Sequence, residues 1–110
     1  MNNFNWAEEL DCAITVCDCE ASVVYQNAKS RKTFANNGDM VGKNLKGCHS
    51  SESWKKILAM LGEGKSNTYT IEKEGVKKLI HQTPWLVDDR IMGLVEFSFE
   101  IPEQCPHYKR

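Results

Sequence analysis

This chain of 110 residues is short of long apolar runs, of an excess of either charge, and of paired cysteines. No apolar run approaches the roughly 20 residues that a bilayer-spanning helix needs. The opening MNNFNWAEEL has neither the charged start nor the apolar stretch of an export signal. No membrane association is expected, and the chain is read as cytoplasmic. Basic and acidic residues nearly cancel, 14 against 15 for a net charge of −1. The basic surface that nucleic-acid binding rests on is missing, so no nucleic-acid partner is expected. Cysteines stand at Cys12, Cys17, Cys19, Cys48 and Cys105, an odd number that suits free thiols in a reducing compartment. Cys17 and Cys19 lack the second close pair that a structural zinc site uses, and no metal is expected. There is no G-x-S-x-G elbow and no phosphate-binding P-loop. Cys48 and His49 are chain neighbours, which do not orient one another as nucleophile and base, so no enzyme is expected. Cys48 remains a candidate redox thiol if a helix start lowers its pKa.

What the chain does have is the make-up of one ordinary globular domain, 41% hydrophobic and 26% charged. Its size allows a single core without disulfide or metal staples. Residues 3–10 can form a short helix with Phe4, Ala7 and Leu10 on one side and Trp6 beside them. Residues 12–17 (CAITVC) and 22–26 (SVVYQ) read as strands of a hairpin. Residues 28–35 are weakly helical, and the run 36–39 (NNGD) breaks them. Ser50 and Ser51 offer an N-cap to a helix over 54–61, where Trp54, Ile57, Leu58 and Leu61 recur at helical spacing; Gly62 and Gly64 stop it. Three strands follow, over 67–74, 76–86 and 91–101, turning at Gly75 and at 88–90. Pro84 sits where an edge tolerates it. Along the last strand Val95, Phe97, Phe99 and Ile101 share one face, taken as the core face. Met92, Leu94, Glu96, Ser98 and Glu100 share the other. The expected fold is α+β, a five-stranded antiparallel sheet with several short helices and one longer helix on one face. The segments divide as a flanking helix over 1–11, a domain over 12–102 and a tail over 103–110.

The order of these pieces resembles a PAS domain. Ile14-Thr15-Val16-Cys17-Asp18 resembles the family's first strand with its closing Asp. Val23-Val24-Tyr25-Gln26-Asn27 resembles the second strand, whose Asn caps the next helix. Val41-Gly42-Lys43-Asn44-Leu45 resembles the family's "G-K-N/S-L" turn, and Gly93-Leu94-Val95-Glu96 the opening of the last strand. Cys48-His49 resembles the "CHP" of a bacterial and archaeal subgroup, with Ser50 in place of the Pro. Ala21 departs from the family's usual turn glycine. Pro102 and Pro106 argue against a continuing signalling helix. The resemblance implies a free-standing PAS protein or an excised sensor domain.

It also implies a pocket between sheet and helices. The expected lining is Ile14, Val16, Phe34, Leu45, Trp54, Ile57, Leu58, Leu79, His81, Val95, Phe97 and Phe99. The same side chains also suit a filled core. Leu45 stands where the light-sensing flavin subfamily has its adduct cysteine, so a photoactive flavin is disfavoured. Haem would need an axial ligand, for which Cys48, His49 and His81 are the candidates. Two functions follow. One is a sensory module that binds a small ligand and signals to an unidentified protein. The other is a ligand-free dimerisation module. A homodimer is expected in either case, through Phe4, Trp6 and Leu10 of the flanking helix and Met92 and Leu94 of the outer sheet face.

Overall fold

The computed structural model describes residues 5–33, 39–48 and 50–110. Expectations for Phe4, Phe34, His49 and the Cys48 side chain lie outside what it describes. Strands β1 (Ala13–Asp18) and β2 (Val23–Gln26) form the N-terminal hairpin. Helix α1 (Ala28–Thr33), a 3₁₀ turn (Leu45–Cys48) and helix α2 (Ser51–Glu63) follow. The meander of β3 (Asn67–Lys73), β4 (Val76–Val87) and β5 (Arg90–Glu100) completes the chain. All pairings are antiparallel, in the order β2-β1-β5-β4-β3. The expected α+β architecture is the observed one.

Local chemistry sets the boundaries. Ser50 Oγ accepts from the Ser53 amide at 3.2 Å and caps α2. At the other end Gly64 adopts φ 75°, the left-handed conformation that glycine reaches without Cβ strain, and its N–H returns to Met60 O at 2.9 Å. The two hairpins of the meander turn on residue pairs with positive φ, Glu74-Gly75 and Asp88-Asp89. That geometry follows the strand twist. Ala21 is also left-handed, φ 63°, so it holds the turn that glycine holds in the resemblance.

Two local expectations are corrected. Residues 6–9 form a turn, not a helix. A segment so short gains little from its own hydrogen bonds, and its polar groups bond to the domain instead. Pro84 lies on an interior strand, but β3 pairs with β4 only as far as Gln82, so that side of β4 is a local edge without a ladder at Pro84.

The larger correction concerns the faces of the sheet. Directly paired residues share a face. Cys17 pairs with Leu94, and both are buried with Ala21, Ile57 and Met60, with Leu45, Trp54 and Leu61 packed around them. This is the inner, helix-bearing face. Burying Ile57 or Met60 there stabilises by about 1.5–3 kcal/mol each relative to exposure. Ile14 pairs with Phe97 and Val16 with Val95, on the outer face, where Ala7, Cys12 and Tyr25 join them. Leu79 and His81 pair with Phe99 and Phe97 and so are outer too. The face taken as the pocket side is therefore the one under the N-terminal segment. Leu94, expected on the outer surface, is 6% exposed beneath α2.

Candidate functional site

The inner face is polar where it leaves the Cys17–Leu94 cluster. Its register brings Asn67 of β3, Gln82 of β4 and Glu96 of β5 into one row. Asn67 Nδ2 donates to Gln82 Oε1 at 3.1 Å, and Gln82 Nε2 donates to Glu96 Oε1 at 2.8 Å. The row ends on a half-buried carboxylate that has no cationic partner among the described residues. Tyr69, beside Asn67 on the same face, has its hydroxyl pKa pushed up by burial and by the charge of Glu96. It therefore stays protonated as a donor at neutral pH.

Over this row lies the N-terminal half of α2. Between them is a cavity of about 190 Å³ lined by Ser53, Lys56, Ile57, Asn67, Tyr69 and Gln82. One wall is a helix carrying a cation and a hydroxyl; the other is a sheet carrying amides that lead to a carboxylate. Its volume is below the ~300–1,000 Å³ typical of drug-sized ligand sites.

The structure gathers only some of the expected pocket. Ile57 lines the cavity. Leu45 and Trp54 pack on the inner cluster beside it. Leu58 points away, 49% exposed, because the buried stripe of α2 runs through Ile57 and Met60. Ile14, Val16, Leu79, His81, Val95, Phe97 and Phe99 are on the opposite face. His81 Nδ1 is 2.7 Å from Thr68 Oγ1 there, so it does not reach the cavity as a haem ligand. Burial raises the pKa of the Cys12 and Cys17 thiols, while Cys19 is exposed and donates to Ile91 O at 2.9 Å. Of the expected dimer residues, Trp6, Leu10 and Met92 are exposed and Leu94 is not.

Sequence reasoning missed a second polar cluster, the one that holds the N-terminal segment. The Asn27 side chain is fully buried and makes four hydrogen bonds. Its Oδ1 accepts from the Ile14 and Ser30 amides, each at 3.0 Å; its Nδ2 donates to Ala7 O at 2.9 Å and Cys12 O at 2.8 Å. Beside it Glu8 accepts from Tyr25 Oη at 2.8 Å and is forked by Arg31, whose closer nitrogen is 2.8 Å away. The Arg31 and Tyr25 hydrogen bonds hold the Glu8 carboxyl below its ordinary range. The signal in the sequence was the cap asparagine itself, read for only one of its bonds.

No family model and no curated protein matches this sequence. Solved structures do match the fold. The C-terminal domain of a Streptococcus mutans protein aligns with a TM-score of 0.72 at 18% identity, over 88% of this chain and 81% of that one. The PAS domain of the histidine kinase ThkA aligns with a TM-score of 0.64 at 14% identity, over 82% of this chain and 99% of that one. VqmA from Vibrio cholerae, a LuxR-type receptor with target DNA that has also been solved bound to DPO, aligns with a TM-score of 0.66 at 15% identity. There the alignment covers 87% of this chain but only 48% of VqmA. With the sheet order, the capped α2 and the strapped second hairpin strand all in place, the chain has a PAS-like fold.

Proposed function

We propose that this protein is a sensory PAS module. It binds a small ligand between α2 and the inner sheet face and passes that occupancy to a partner protein by contact. The observation that carries the reading is the half-buried row Asn67–Gln82–Glu96 opening into a cavity under α2. A face that served only as core would be filled by apolar side chains, as it is around Cys17, Ile57, Met60 and Leu94, whereas here mutually hydrogen-bonded polar groups border open space under α2. VqmA bound to DPO supports the reading by fold analogy. The reading is non-enzymatic and places the protein in the cytoplasm, where unpaired thiols such as Cys19 and Cys105 persist. No helix of the described residues is long and apolar enough to cross a membrane. The near-zero net charge speaks against nucleic acid as the partner.

The test is native mass spectrometry after exposure to a small-molecule extract of cells. The unmodified protein should retain an added small mass. Ser53→Trp, which fills the cavity from an exposed helix position, should fold and lose it. A folded protein that retains nothing, or a Ser53→Trp variant that retains the same mass, overturns the reading.

The alternative, a ligand-free dimerisation module, draws on the outer face. Phe97 and Phe99 stack there at 5.9 Å with Phe99 41% exposed, and Trp6 is 53% exposed. An apolar area of this kind marks a protein contact. The two readings share a homodimer through Trp6, Leu10 and the outer face of β4 and β5.

A further inference from the structure

The sheet has two outer strands, β2 and β3, and they differ. β2 carries a bulge in its pairing with β1, and its free side is taken: Val23 N–H donates to Lys43 O at 2.9 Å, and Val23 O accepts from Gly42 N–H at 2.8 Å. β3 pairs with β4 in unbroken register on one side, and with no strand among the described residues on the other. Six of its seven residues are exposed, Tyr69 and Ile71 among them. It has neither the proline nor the bulge with which sheet edges are commonly blunted. The hairpin fixes which backbone groups are left over. Lys73 and Val76 flank the two-residue turn Glu74-Gly75 and form its closing hydrogen-bonded pair. Hydrogen-bonded pairs alternate along an antiparallel ladder, so Thr68, Thr70 and Glu72 point their N–H and C=O groups away from β4. Lys77, opposite Glu72, agrees with this: its C=O accepts from Ile101 N–H at 2.8 Å, on the β5 side.

We infer that β3 is a self-pairing edge: it takes β3 of a second copy of this chain, antiparallel and centred on Thr70, so that one sheet continues across two molecules. The strand NTYTIEK is complementary to itself in that register. Thr70 stands opposite Thr70, Thr68 opposite Glu72 and Asn67 opposite Lys73, with no like charges facing. Each outward-pointing residue meets another, so the leftover N–H and C=O groups are exchanged pair by pair. Tyr69 stands opposite Ile71 twice, an aromatic and a β-branched residue on one face, the pairing that stabilises sheets. Other centres do worse. Centring on Tyr69 sets Lys73 against Lys65, centring on Glu72 sets that carboxylate against itself, and centring on Ile71 carries Asn67 and Thr68 past the strand into the turn. Because Tyr69 lines the cavity under α2, Ile71 of the second copy comes to lie beside that cavity. A single strand pair offers little side-chain area against the 1,200–2,000 Å² or so of a stable interface, so the contact is weak between free molecules. It rests neither on the ligand reading nor on the outer-face contact.

The experiment is disulfide trapping in the full chain, with Cys19, Cys48 and Cys105 replaced by serine. Paired residues at a hydrogen-bonded position have Cα atoms about 5.5 Å apart, within reach of a disulfide, and residues four apart in register do not. Thr70→Cys should therefore cross-link to itself under mild oxidation at least tenfold faster than Thr68→Cys, though both positions are exposed. A mixture of Thr68→Cys with Glu72→Cys should give the mixed dimer at least tenfold faster than either variant couples to itself. Melting temperatures check that each variant is folded. The same pattern should persist when Trp6→Glu and Phe99→Glu are added, since the outer face takes no part. Equal rates in all samples of folded protein, or Thr68→Cys coupling fastest to itself, overturns the inference. Trapping that vanishes with the two outer-face substitutions overturns it as well, because the proximity would then belong to that face.

Discussion

Asn27 shows what a single buried side chain can do in this fold. It ends β2, starts α1, and fixes β1 and the N-terminal segment through four hydrogen bonds. Truncation would orphan two amides and two carbonyls, each costing about 1–3 kcal/mol where water cannot replace the bond. Asn27→Ala should therefore lose more than about 3 kcal/mol in a urea melt. An unchanged midpoint would contradict the role assigned to it. Glu8 acts on the same segment from the surface. Its folded pKa is lowered chiefly by Arg31 and then by Tyr25. A carboxyl with a lowered folded value contributes stability that is present above its unfolded value and is lost as pH falls through the folded one. The N-terminal segment should loosen on acidification through the carboxylate range. Amide exchange in residues 6–11 should report this, and Glu8→Gln should flatten the response.

Among the elements, β5 is the one whose alternation was read correctly and placed on the wrong side. Periodicity states which residues share a face; it does not state which face the helices cover. Val95, Phe97 and Phe99 are the more apolar set and so looked like core. In the structure they face outward, partly under the N-terminal segment, while Leu94 and the polar Glu96 and Ser98 face α2. The strands, their antiparallel pairing and the cap of α2 were legible because turn chemistry and apolar spacing are local. The cavity was not legible, because polar inward residues look like a solvated face until something covers them. Gly93 marks the join of these faces. A Cβ there would land on the Cys17 carbonyl oxygen and 2.8 Å from Trp85 Nε1, the indole that itself donates to that carbonyl at 3.3 Å. Gly93→Ala should cost about 2–3 kcal/mol, in the range of overpacking. Chemical denaturation will check this, and a neutral result would mean that β1 and β5 yield at this point.

For the whole molecule, the proposed reading divides the work between the two faces, giving the inner face to a ligand and the outer face, with Trp6 and Phe99 exposed, to a second copy. A dimer there should bury on the order of 1,200–2,000 Å². Trp6→Glu with Phe99→Glu should give a folded monomer by light scattering. Leu94→Glu, by contrast, places a charge beneath α2 and should unfold the chain, since Leu94 belongs to the inner cluster. If the unmodified protein is already monomeric at about 100 μM, where an interface of roughly −8 kcal/mol would be filled, the outer face has no such role. The central claim, that the inner polar face is the sensing surface, is tested most directly by amide and side-chain NH₂ shift mapping. The small molecule retained by the protein is titrated into a uniformly labelled sample. The account predicts shifts at Ser53, Ile57, Tyr69 and the side-chain amides of Asn67 and Gln82, with Val16, His81 and Phe97 unmoved. Shifts centred on those outer residues instead, or none at saturation, would contradict it.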